Sequence, residues 1–283
     1  MAAHDNITTK PIHHWPSEAS ELYLRDADRI EALNGPFGEA MLDAAALKSG
    51  ERVLDVGCGC GTTAVEAARR VRPGGTVVGV DVTAALLDRA RREASACGVD
   101  TIDLVEADAQ THTFAEGAFD VVISRFGIMF FDNPTSAFTN LGRAVRTGGR
   151  LAIVCPADPL HSEWIAIAFT AAAAHVGVPN LGPPGAPGPF AFADEQRLER
   201  TIVSGGFHHV TVEAITRAVR IGDNVDDVAA FITSLPEGRQ LLAGRPDQTV
   251  RAVLGALKSG FAPHATADGV IVHETAWLAT ARR

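Results

Sequence analysis

Three glycines on alternate positions, Gly57, Gly59 and Gly61, stand directly after the apolar run Val53-Leu54-Asp55-Val56 and directly before Thr62. Glycines there let a chain turn sharply and let a ligand touch the backbone. A helix opening at Thr62 would aim unpaired amide hydrogens at a carboxylate or phosphate. Acids recur where further apolar runs end: Asp81 after Val77-Val78-Gly79-Val80, and Asp108 in Glu106-Ala107-Asp108-Ala109. Asp81 lies close to the offset of about 20 residues at which an acid accepts ribose hydroxyls. Asp108 falls where the edge of an adenine would lie. The chemistry these types and spacings offer is recognition of a nucleoside-bearing ligand: backbone for its charged end, one carboxylate for the sugar, another for the base.

Such residues need strands to carry them. Arg52 to Val56, Thr76 to Val80, Ile102 to Val105, Phe119 to Ser124 and Arg150 to Val154 each read as a short strand, and Val121-Val122-Ile123 in the fourth suggests burial on both faces. Helical stretches separate them, at Thr62 to Val71, Thr83 to Cys97 and Pro134 to about Val145, with Thr83 and Pro134 as start signals. Alternating strand and helix predict a parallel sheet covered on both faces. Upstream, residues 20–33 and 37–47 read as two helices split by Asn34-Gly35-Pro36, and Thr147-Gly148-Gly149 reads as a turn. Downstream, the spacing predicts helices over 162–175, 194–204 and much of 226–257, a Pro/Gly-rich loop over 179–189, and strands over 209–221 and 270–281. The expected fold is therefore α/β, a Rossmann-like, doubly wound sheet of seven strands with an antiparallel last strand. One domain is expected over 1–283: an N-terminal helical lid (1–50), a ligand-binding core (51–155), lid inserts (156–208 and 222–268) and C-terminal strands (209–221 and 269–283).

The bulk composition is globular: 46% hydrophobic and 21% charged over 283 residues, enough for a sizeable core. A net charge of −9 with no basic run argues against a nucleic-acid partner. The polar start of the chain and the lack of a long apolar run predict a cytoplasmic protein with no membrane partner. Cys58 and Cys60 lie in the glycine turn without a second ligand pair at metal-binding spacing, so no metal is expected.

Taken in order, Val53-Leu54-Asp55-Val56-Gly57-Cys58-Gly59, Val78-Gly79-Val80-Asp81, Glu106-Ala107-Asp108-Ala109 and Ser124-Arg125-Phe126-Gly127-Ile128-Met129-Phe130-Phe131 resemble the class I S-adenosylmethionine-dependent methyltransferases. Within those, they resemble the small-molecule branch related to ubiquinone and menaquinone C-methyltransferases. The resemblance is good over roughly residues 15–155. It implies S-adenosylmethionine as cofactor and a small-molecule methyl acceptor, natural-product or quinone-like; a homodimer is compatible with it. It further implies site roles. The turn Gly57, Gly59, Gly61 would pass the methionine part, with Asp55 holding its amino group. Asp81, beside Val82, would accept both ribose hydroxyls, and Asp108 with the Ala109 backbone would take the adenine amino group. Ser124, Arg125 and Phe126 would lie near the sulfonium end, and Trp15 and Tyr23 where N-terminal helices close over the cofactor. The family's usual Trp-Asn pair is here Trp15-Pro16.

Methylating oxygen or nitrogen requires loss of a proton, for which histidine is the common acceptor. His14, next to the covering helix, and His161, after the fifth strand, are the candidate bases; a carbon acceptor would need none. Ile128 to Phe131 is a candidate acceptor wall. Two other readings stay open. One is a protein of the same fold that binds the cofactor but catalyses a cyclisation. The other is a nicotinamide-dependent oxidoreductase, against which Thr62 in place of a third G-x-G-x-x-G glycine, Asp55 and Asp108 all argue.

Overall fold

The computed structural model describes residues 17–181 and 183–283. Two helices, α1 (Ser17–Arg25) and α2 (Ala27–Ala45), precede β1 (Arg52–Val56), α3 (Thr62–Arg70), β2 (Thr76–Asp81), α4 (Ala84–Ala96) and β3 (Ile102–Glu106). Then come β4 (Phe119–Arg125), α5 (Pro134–Ala144), β5 (Val145–Pro156), α6 (Glu163–Ala173), α7 (Glu195–Ser204) and β6 (His208–Gly222). Three helices, α8 (Val225–Ser234), α9 (Pro236–Leu242) and α10 (Asp247–Phe261), lead to β7 (Ala265–Thr266) and β8 (Gly269–Arg282).

The strands form one sheet in the order β3-β2-β1-β4-β5-β8-β6, with the two-residue β7 paired to β8. β1 to β5 are mutually parallel, while β8 runs antiparallel to both β5 and β6. This is the expected doubly wound sheet with its reversed last strand. Between β1 and β4 the winding changes direction, and there the crevice beyond the strand ends opens.

The apolar runs are continuous because both faces are buried. Val53 of β1 with Val121 and Ile123 of β4 joins one core, shared with Phe37 and Met41 of α2 and Ala64 and Val65 of α3. Leu54, Val56 and Val122 join the other, with Phe138 of α5 and Leu198 of α7. Thus α7, within an expected lid insert, helps to cover the sheet. By contrast α6, α8 and α10 extend the first core beyond the strand ends.

Two local expectations are corrected. Helix α2 is not broken at Asn34-Gly35-Pro36; Pro36 lies inside it, and the interruption falls at Asp26 instead. A proline removes one backbone bond and strains a turn. Burial of Phe37, Met41, Leu42 and Ala45 along one face outweighs that loss. Likewise, Thr147 to Gly149 belongs to β5, where the register with β4 shifts between Phe119 and Val121. The turn is absorbed as an irregularity in one longer strand.

Candidate functional site

The glycine turn fixes the floor of the crevice. Gly57 has φ 67° and Gly61 φ 84°, a region costly for residues with a side chain. A Cβ on Gly57 would stand 2.7 Å from the Gly127 Cα, and one on Gly61 2.8 Å from the Ala90 Cβ. Gly57 therefore lets the turns after β1 and β4 touch, and Gly61 lets α3 begin against α4. Gly59 faces the cleft.

The cleft wall includes Gly57, Gly59, Asp81, Val82, Asp108 and Ala109, joined by Tyr23, Arg125 and Phe126 from the opposite side. Asp81 ends β2 with its carboxylate held in place: Oδ2 accepts the Gly59 N–H at 2.9 Å and Oδ1 the Thr83 N–H at 2.9 Å. Burial raises its pKa, against the lowering effect of those amides. Thr83 stands at the N-cap of α4 as expected but makes no side-chain cap bond to the helix. Its backbone N–H serves Asp81 instead. Asp108 follows β3 and folds back on its own turn, with Oδ1 accepting the Gln110 N–H at 2.8 Å. Both acids border the cleft, and a carboxylate has more acceptor positions than these bonds use.

Arg125 is almost fully buried and donates from one terminal nitrogen to both carboxylate oxygens of Glu31, at 2.7 and 2.8 Å. The Tyr23 hydroxyl donates to the same Glu31 at 3.2 Å. Burial, then the Glu31 charge, raises the Tyr23 pKa. This cluster ties α1 and α2 to the end of β4, closing the N-terminal helices over one side of the cleft. Ser124 is fully buried and donates to the Val56 carbonyl at 2.7 Å, bracing β4 against β1 rather than bordering the cleft. Phe126 has φ 57° and packs edge-on against Phe37 at 5.7 Å.

Asp55 lies behind the turn, also off the cleft wall. Leu54 and Val56 face one core, so period-two alternation sends Asp55 to the opposite layer. There Oδ2 accepts the Thr63 hydroxyl at 2.6 Å, while Oδ1 is buried with no hydrogen-bond partner among the described residues. Burial pushes its pKa up to about 6, with Thr63 and Arg125 pulling down and Asp81 and Glu31 adding to the rise.

The remaining expectations separate. His161 is exposed in a short turn over Pro159–His161 and borders neither the cleft nor the cavity beside it. His14 and Trp15 lie outside the described residues. The structure adds Asn34, Leu86, Gln110, Gly127, Phe130, Phe131 and Asp132 to the cleft wall. Gly127 and Phe130 were visible as part of the fourth strand's exit; Asn34 was hidden by the expected helix break.

Beside the cleft is a second cavity of about 550 Å³, roofed by α6, α8, α9, α10 and the Pro/Gly-rich loop. Its wall is mostly apolar, with Trp164, Ile165, Phe169, Phe190, Leu241 and Leu257 among the larger contributors. Phe130 and Asp132 border both spaces. Of the expected acceptor wall, Ile128 and Met129 are instead buried in the core, and Phe130 faces the cavity.

A doubly wound sheet with a glycine turn and acids at successive strand ends is an architecture that binds nucleoside-bearing cofactors. Residues 53–149 match the family profile of the methyltransferase domain. Aklanonic acid methyltransferase DauC of Streptomyces sp. (strain C5) is 34% identical over 121 residues, covering 43% of this chain and 55% of that protein. Nocamycin O-methyltransferase of Saccharothrix syringae is 33% identical over 142 residues, 50% of each. The match thus covers about half the length of these curated relatives. The YcgJ protein of Bacillus subtilis has the same fold, with a TM-score of 0.56 and 17% identity over 87% of this chain and 97% of that one.

The cleft fits S-adenosylmethionine on its own chemistry. It offers the fixed carboxylate of Asp81, a second at Asp108, the apolar side chains of Val82, Leu86 and Phe131, and open backbone at Gly59, a set that could take a diol, an amino group and a flat ring. The unpartnered Oδ1 of Asp55 behind the turn suits an ammonium donor, directly or through water. Among the described residues no group of His, Cys, Asp or Glu forms a metal-binding cluster, and no helix is long and apolar enough to cross a membrane.

Proposed function

We propose that the chain transfers the methyl group of S-adenosylmethionine to a small, largely apolar acceptor held in the cavity beside Phe130. The observation that carries this reading is the shared wall: the nucleoside-type cleft and the apolar cavity meet at Phe130 and Asp132. The relatives are named for aklanonic acid and nocamycin; only the small-molecule class of their acceptors is carried over here.

The cofactor, when bound, supplies both an electrophilic methyl group and its leaving group, so the protein's task is placement. Asp81 would accept the ribose hydroxyls, its carboxylate already oriented by Gly59 and Thr83. Asp108 and the Ala109 backbone would hold the adenine edge, Gly57 and Gly59 the methionine part, and Asp55 its ammonium group. The Tyr23–Glu31–Arg125 cluster would keep the N-terminal helices in place over the bound molecule. Orientation of two reactants can supply about 7–11 kcal/mol of a barrier. The apolar walls exclude water from a reaction that disperses charge. A nucleic-acid acceptor fits poorly, because among the described residues no Lys, Arg or His borders the cavity.

Calorimetric titration tests the cofactor half of this reading. The wild-type protein is expected to bind S-adenosylmethionine and not NADH, and Asp81→Ala to weaken that binding about tenfold or more, as loss of a charged hydrogen-bond acceptor does. Binding of NADH in its place would return the glycine turn to the dinucleotide class.

A further inference from the structure

We infer that β6 is a dimer interface: its outer edge pairs antiparallel with β6 of a second copy of this chain, with Ile215 on the twofold axis. The inference is independent of the proposed reaction. β6 ends the sheet, and among the described residues it pairs with β8 alone. It runs for 15 residues, against about 5–6 in a usual strand. A strand of that kind presents a row of backbone N–H and C=O groups that a further strand can satisfy. Its inner side is held in register by hydroxyl pairs, Thr211 with Thr280 at 2.8 Å and Thr216 with Thr275 at 2.9 Å. Its two faces are engaged as well: Ile215 and Val219 belong to one core, and Val210 and Val212 pack against the other.

The strand's own sequence points to the same strand as its partner. Outward-pointing backbone groups alternate along a strand, so in an antiparallel self-pairing only residues an even number apart can face each other. In the register centred on Ile215, Glu213 faces Arg217 of the partner subunit, and by symmetry Arg217 faces the partner's Glu213. The same register sets Val212 opposite the partner's Ala218, Thr211 opposite the partner's Val219 and Ala214 opposite the partner's Thr216. Centring on Ala214 would put Glu213 opposite Ile215 and Arg217 opposite Thr211. Centring on Thr216 would put Glu213 opposite Val219 and Arg217 opposite Ile215. Either shift loses both ion pairs, so charge selects one register. Opposite charges facing each other across strands stabilise a pairing, and like charges oppose it. Glu213 is exposed and among the described residues forms no ion pair, while Arg217 reaches the Thr216 carbonyl of its own strand at 3.0 Å. Both are therefore placed to serve a neighbouring strand.

Sedimentation equilibrium of the full chain tests the inference. The wild type is expected to form a dimer that weakens as salt is raised. Glu213→Arg and Arg217→Glu each set like charges opposite each other twice, and each should raise the dimer dissociation constant about tenfold or more. An equimolar mixture of the two variants should recover the dimer, because in the mixed pair every charge meets its opposite. Recovery also shows that both variants are folded. A monomeric wild type, a dimer indifferent to either reversal, or dissociated variants that stay apart on mixing would each overturn the inference. A dimer that appears only once residues 1–16 are deleted would give the edge to that segment instead of a second copy.

Discussion

Burial raises the Asp55 pKa to about 6 because its carboxylate sits in the α2–α3 layer, where the Thr63 hydroxyl and Arg125 compensate only in part. A carboxyl whose folded pKa is raised binds its proton more tightly in the native than in the unfolded state. The associated stability is complete below pH 3.8 and is lost as pH rises through about 6. Relative to Asp55→Asn, the wild type is therefore expected to lose on the order of 3 kcal/mol across that window, read from denaturant midpoints at several pH values. Cofactor binding should run the other way. An ammonium donor to Oδ1 favours the ionised form, so affinity for S-adenosylmethionine should fall as pH drops below about 6 in the wild type and stay flat in Asp55→Asn. A flat wild-type profile would remove Asp55 from the site. The glycines, Asp81 and Asp108 were legible in the sequence because their placement is local, a strand end followed by a turn. The direction of Asp55 follows from its alternation with Leu54 and Val56, a signal present but overridden by the motif. The engagement of Arg125 by Glu31, 94 residues away in the chain, has no local signature.

At the scale of elements, a buried ion pair links α2 to the end of β4, alongside the Arg29 bonds to Asp227 and the Ile221 carbonyl and the Arg150 bonds to the Ala45 and Ala46 carbonyls. The side chains of Arg125 and Glu31 are only 6% and 19% exposed, so solvent screens them little. Removing one partner of such a pair leaves the other charge buried, at a cost of about 3–5 kcal/mol. Glu31→Gln is expected to lower stability by an amount of that order in urea unfolding and to weaken cofactor binding, because α1 and α2 carry Tyr23 and Asn34 into the cleft. A stability change within experimental error would show that apolar packing and the Arg29 and Arg150 bonds seat these helices without the Arg125–Glu31 pair. The strands and the helices between them were legible because hydrophobic runs of the right length are bounded by glycine, proline and capping residues. Helix α2 was not, because the packing of Phe37, Met41 and Leu42 overrides the Pro36 break, and packing partners are invisible to a local reading.

The whole molecule combines two spaces of different origin. The cleft arises where the sheet's winding reverses between β1 and β4, a property of the topology and hence foreseeable from the order of strands and helices. The apolar cavity is assembled from α6, α8, α9, α10 and the Pro/Gly-rich loop, whose sequences show no shared pattern; its existence depends on how they pack together. For the same reason Asp132 and Phe130, which border both spaces, stood out only in the folded chain. On the proposed function, these spaces are the cofactor and acceptor halves of one active site. A crystal structure of the full chain with S-adenosylhomocysteine tests it most directly. The expected result is the ribose hydroxyls on Asp81, the adenine beside Asp108 and the thioether sulfur facing the wall formed by Phe130 and Asp132. A ligand seated elsewhere, or bound in the cleft with its sulfur turned away from the apolar cavity, would contradict it.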